Sequence, residues 1–125
     1  MQFLSEEWLE ACCGADRPNL AGATGVIVLK TEGGPDGKTI HRFTLDEGVI
    51  VDASVGKAKG ADIELIAPWS LAQALLKDGA DPATEYMRGK LKMSGDMEMW
   101  LAVLPVLSSP PAMESRSALG ERTTF

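Results

Sequence analysis

From Gly25 to Ala67 the chain alternates. Lys30, Arg42, Thr44, Asp52, Asp62 and Glu64 fall on one side of four extended runs, Gly25–Thr31, Thr39–Asp46, Gly48–Val55 and Asp62–Ala67. Ile27, Leu29, Phe43, Leu45, Val49, Val51, Ile63 and Leu65 fall on the other. The first side is not wholly polar, since Val28, Ile40, Ile50 and Ile66 share it. A sheet that carries charge on one face takes helices on the other face only. That excludes a doubly wound parallel arrangement and selects an α+β fold with a mixed or antiparallel sheet.

The punctuation agrees. Asp46-Glu47-Gly48 is a tight turn, and Gly56-Lys-Ala-Lys-Gly60 is a solvated loop before the fourth run. Glu32-Gly-Gly-Pro-Asp-Gly-Lys-Thr39 comes near a phosphate-binding loop but has Glu32 where that loop needs glycine, and its Lys-Thr leads into a strand. It is a Pro-Asp-Gly turn between strands. Ser5 caps a short acidic-started helix carrying Trp8, Leu9 and Cys12 and ended by Gly14. Pro68 opens a helix over Trp69–Lys77, with Leu71, Ala72, Leu75 and Leu76 as its stripe and Gly79 as its stop. Asp81-Pro82 starts a second, two-turn helix ending in Tyr86 and Met87 before Gly89. Lys90–Ser94 alternates as a fifth short strand with Leu91 and Met93 inward. Asp96 caps a last helix, Met97–Leu104, which Pro105 ends.

Residues 1–107 make one expected domain, and 108–125, rich in Ser, Pro, Arg, Glu and Thr, read as a polar tail in which only Leu119 and Phe125 could dock. A chain of 125 residues suits a single core. Its formal charge of −6 argues against nucleic acid as a partner, because phosphate binding needs clustered cations. Transient membrane contact would rest on apolar insertion and not on charge. Cys12 and Cys13 are adjacent and read as reduced thiols, so with a single histidine neither a metal site, a redox motif nor a cofactor is supported. No run reaches the ~18–20 apolar residues of a membrane span. The acidic start lacks the character of a signal peptide, and the final Thr-Thr-Phe is no peroxisomal signal. The expected location is cytoplasmic.

No catalytic group stands out. His41 lies on the inward side with Phe43 and Leu45, where histidine is ordinarily structural, and no nucleophile motif accompanies it. The carboxylates are single and mostly outward, so no acid/base pair forms. The positive signal is flexible apolar bulk: Met97, Met99, Trp100, Leu101, Val103 and Leu104 spread over about half of one helix's circumference, wider than a stripe facing a sheet. Methionine suits an adaptable cavity wall. From the pattern alone a ligand pocket, core filling and a dimer contact stay open.

One resemblance goes further. The Gly33–Lys38 turn, Ala61-Asp62 before the fourth strand, the Asp81-Pro82 helix and above all Tyr86–Met97, YMRGKLKMSGDM, resemble the sterol carrier protein type 2 family over about residues 20–105. The resemblance implies a five-stranded mixed, largely antiparallel sheet with helices on one face. Between them it implies an apolar tunnel for a fatty acid, acyl-CoA, sterol or other lipid, held without chemistry. By position it implies a lining of Phe43, Val51, Leu71, Leu75, Leu76, Tyr86, Met87, Met93, Met97, Trp100, Leu101 and Leu104. The helical region before the first strand is short for such a lid. Two alternatives accompany this reading. One is a pocket enzyme, a cyclase or isomerase that confines a hydrophobic substrate beside His41, Tyr86, Glu85 or Asp96. The other is a homodimer formed through Met and Trp100.

Overall fold

The structure, a computed structural model, describes residues 1–14 and 16–125. Its elements run α1 (Glu6–Ala11), β1 (Gly25–Gly34), β2 (Gly37–Asp46), β3 (Val49–Val55), β4 (Ile63–Pro68), α2 (Trp69–Lys77), α3 (Pro82–Met87), β5 (Lys92–Gly95), α4 (Met97–Leu107) and α5 (Pro110–Glu121). The strands form one sheet in the order β3-β2-β1-β4-β5. Only β1 and β4 pair in parallel; the other neighbours are antiparallel. The mixed sheet and its single layer of helices are the expected α+β architecture.

Turn chemistry explains the meander. Pro35-Asp36 connects β1 to β2 between the paired Gly34 and Gly37, and Gly37 takes a φ of +75°. Glu47-Gly48 connects β2 to β3 with φ of +48° and +84°, the two left-handed residues that a primed hairpin turn requires. β3 and β4 run the same way with two strands between them. The chain therefore crosses the sheet from Val55 to Ile63 without a helix. It lies over the charged face, where the Arg42 guanidinium donates to the carbonyls of Val55 and Lys57 at 3.4 and 3.3 Å. Asp62 N–H bonds Val26 O at 2.9 Å. Outward-facing Val28 is fully buried, so this face is partly covered by chain even though no helix layer packs on it.

Three expectations are corrected. Alternation through β3 breaks at a bulge: Leu45 pairs with Ile50, but Thr44 pairs with Asp52. Val51 is the extra residue and, at 55% exposure, faces water, while Ile50 takes the inward place. Pro105 does not end α4. The helix runs two residues further to Leu107, because a proline in the last turn leaves only one carbonyl, that of exposed Leu101, without its intrahelical donor. Residues 108–125 are no tail. Ser109 and Pro110 start α5, which packs on α2, with Ala112, Leu119 and Gly120 buried. A Cβ on Gly120 would stand 2.5 Å from Leu76 O, so glycine is what lets the two helices touch.

Packing forms two connected layers beneath the sheet. Ile27, Leu45, Ile63, Trp100, Val103 and Leu104 centre one; Phe3, Trp8, Leu9, Leu76 and Leu119 centre the other. The second includes both chain ends. Phe3 N–H bonds Thr124 O at 2.9 Å, Thr124 N–H bonds Met1 O at 2.6 Å, and Gln2 bridges Thr124. The Phe3 ring sits 5.0 Å from both Trp8 and Trp69 and 5.1 Å from Phe125. A clasp of backbone and aromatic contacts thus joins the first residues to the last.

Candidate functional site: an apolar cavity with two arginines

Between the inner face and the helices the two layers leave a cavity of about 270 Å³. The sheet supplies Ile27, Leu29, Phe43, Leu45, Ile50 and Leu65, all on one face because β1, β2 and β4 keep their alternation in register. Leu75 and Leu76 come from α2, Val103 and Leu107 from α4, Ala112 and Leu119 from α5, and Phe3 and Trp8 from the N-terminal segment. Cys12 adds a thiol that burial pushes up to about 12, so it is a neutral wall group and not a nucleophile. Among the described residues no three metal-ligating side chains come together, and no helix is long and apolar enough to cross a membrane.

Two cations interrupt the hydrocarbon. Arg17 donates from Nη2 and Nε to Ala11 O at 2.6 and 3.1 Å, and from Nη1 to Ser115 Oγ at 2.8 Å, tying the loop after α1 to α5. Arg116, on α5, meets only the Met113 sulfur at 2.8 Å, and its Nε is buried with no partner. Burial pulls the Arg116 guanidinium below its ordinary range, an effect the Asp81 charge opposes. Neither arginine is in an ion pair among the described residues. A buried donor without an acceptor is costly, and an incoming anion would relieve it.

The residues expected to line a site divide into three groups. Phe43, Leu75 and Leu76 lie on the cavity wall. Leu71, Tyr86, Met93, Trp100 and Leu104 belong to the solid core beside it, with the Tyr86 ring edge-on to Trp100 at 5.4 Å. Val51, Met87, Met97 and Leu101 point to solvent, the last three at 82%, 47% and 59% exposure. The broad apolar arc of α4 included Val103, whereas the lining that the resemblance implied did not: Val103 and Leu107, and not Met97 or Leu101, meet the hollow. Trp100 is wholly buried and offers nothing to a second copy.

The groups weighed for catalysis are dispersed, and none lines the cavity. Glu85 pairs with Arg88 at 3.6 Å, Asp96 accepts from Met99 N–H as the cap of α4, and His41 is enclosed beside the N-terminal segment. Sequence reasoning missed both arginines. A signal for Arg116 existed: Ser109-Pro110 is a helix start, after which Ala112, Arg116 and Leu119 recur on one helical face. Arg17 follows from no local pattern, since its position depends on contacts with α5.

Comparison with known proteins came to the same architecture. The model of the SCP-2 sterol transfer family matches residues 6–108. A protein from Thermus thermophilus described as possibly a sterol carrier protein is 21% identical, with a TM-score of 0.71 over 95% of this chain and 90% of that one. A sterol carrier protein 2 crystal structure gives 22% identity and a TM-score of 0.69, covering 96% of this chain and 98% of that one. Palmitated SCP2L2 from Aedes aegypti gives 16% identity and a TM-score of 0.59, covering 70% of this chain and 76% of that one. No curated protein matches the sequence.

Proposed function

Because the chain belongs to the SCP-2 sterol transfer family, we propose that it holds and hands on a hydrophobic molecule with one long chain and an acidic head group, without chemistry. The carrying observation is an apolar hollow whose strongest polar groups are two arginines with no carboxylate at ion-pair distance among the described residues. Its volume favours a slender guest. At the ~30 Å³ that a water occupies in the liquid, 270 Å³ holds at least about nine methylene-sized groups. It also falls below the ~300–1,000 Å³ of sites for bulkier ligands. A fatty acid, or an acyl-CoA with its phosphates as the acidic head, fits that description better than a fused-ring sterol.

Magnitudes show why the head group matters. Nine buried methylenes contribute roughly 7 kcal/mol at ~0.8 each, and the lost freedom of association consumes much of it. Hydrocarbon alone then binds weakly. Charge-assisted hydrogen bonds of about 1.5–3 kcal/mol each bring the complex toward the micromolar range. The free, adjacent Cys12 and Cys13 support a reducing compartment, which we read as the cytoplasm.

The test compares a long-chain carboxylate with the alcohol of equal length in a fluorescent-probe displacement titration. The acid is expected to bind about 10–100-fold more tightly, and Arg17→Met with Arg116→Met to erase that margin while leaving alcohol binding in place. Equal affinity for acid and alcohol in the native protein would overturn the acidic head, and binding of neither would overturn the carrier.

A further inference from the structure

His41 is the chain's sole histidine. It is only 3% exposed, and its Nδ1 is buried with no hydrogen-bond partner. The backbone of Leu4 lies beside the ring, and Leu4 is a non-glycine residue held at a φ of +64° in the N-terminal segment of the clasp. Along β2 the inward residues follow one another as His41, Phe43, Leu45 at about 7 Å steps, and the last two line the cavity. Phe3 closes the arrangement: it borders the cavity on one side and the depression containing His41 on the other.

We propose that His41 is a proton-operated latch: protonating its imidazole releases the clasp of residues 1–5 with 122–125 and opens the Phe3 side of the cavity to the guest. This rests on the cavity reading above. The neutral ring already leaves one nitrogen unserved. The protonated ring adds a charge and a second donor in the same enclosed place, with no enclosed carboxylate among the described residues to receive them. Asp36 and Lys38 of the β1–β2 hairpin line the depression but are exposed and of opposite sign; β3 brings Val55 and the following Gly56, α2 brings Trp69, and the N-terminal segment brings Gln2, Phe3, Leu4 and Ser5. The Met1 ammonium is engaged with Arg122 O at 2.8 Å. Nothing nearby among the described residues balances an imidazolium, so the least costly response is to expose the ring. The piece that covers it is the short segment held by Phe3, Thr124 and strained Leu4.

The sign follows. Burial lowers the folded-state affinity of His41 for a proton. The released state therefore binds more protons as pH falls through the ordinary imidazole range near 6.5. The clasped state is fully stable above that range and weakens below it, by tenfold in population for each unit of separation.

Two readouts test the latch on the intact chain between about pH 7.5 and about pH 5. Amide exchange, corrected for the intrinsic effect of pH, is expected to show Phe3 and Thr124 losing tenfold or more of their protection relative to β1 amides. The Cε1–H and Cδ2–H resonances of the single imidazole should titrate below the ordinary midpoint, in step with that loss. His41→Phe should hold both amides protected across the range; should it fail to fold, the imidazole titration in the native chain decides alone. A clasp that stays protected while His41 titrates at its ordinary value, or one that loosens equally in His41→Phe, would overturn the proposal. Release of a preloaded fluorescent long-chain carboxylate is followed in parallel. A probe that never binds at pH 7.5 defeats the carrier reading but leaves the amide result standing, which separates the two failures.

Discussion

At residue scale the decisive detail is one bulge. Ile50 and Val51 are neighbours of similar chemistry, yet one faces the cavity and the other water. Threonine keeps the β-branched shape at both sites, so the same change probes only the environment. Ile50→Thr is expected to cost about 1–3 kcal/mol in urea unfolding, through lost packing and an enclosed hydroxyl, whereas Val51→Thr stays within about 0.5 kcal/mol. The larger cost falling on Val51→Thr instead would mean that the register runs unbroken. Strict alternation names Val51 because a bulge leaves no mark in a run of small apolar and polar residues. Phe43 needed no such correction, since β2 keeps one alternation from His41 to Leu45. Residue identity was therefore legible wherever the ladder was regular.

Elements were legible where their ends are chemically marked. Pro68, Asp81-Pro82 and Asp96 announce α2, α3 and α4, and α2 spans the Trp69–Lys77 that its punctuation predicts. α5 was hidden because its apolar face is narrow, made of Ala112, Leu119 and a glycine, in a segment whose composition suggests disorder. Its place depends on Gly120. In an isolated helix Gly→Ala stabilises by about 1 kcal/mol. Here the added methyl meets a backbone oxygen at 2.5 Å, and overpacking of about 1–3 kcal/mol prevails. Gly120→Ala is therefore expected to lower stability and to weaken ligand retention, since α5 carries Arg116 and three other wall residues. A gain in melting temperature would show that α5 is loosely held.

At the scale of the molecule, the family and the one-faced sheet were readable in the pattern, but the position of the hollow was not. A cavity is where side chains from distant elements fail to meet, and no single segment encodes a failure to meet. The Met-rich stretch, the most recognisable in the sequence, ended partly in the core and partly in water, with the hollow displaced toward α1 and α5. Arg17 and Ser115, 98 positions apart in the chain, close one of its walls.

An unfilled interior also has a mechanical consequence. Unfolding removes internal void volume from the system, and hydrostatic pressure therefore drives it. The ligand-free protein should unfold under pressure with a volume decrease toward the upper end of the ~20–100 mL/mol range. Once an acyl chain occupies the space, the same measurement should give a distinctly smaller change. High-pressure fluorescence of the tryptophans, two of which adjoin the N-terminal aromatic cluster, would read the emptiness directly as that volume change, without knowledge of the natural cargo.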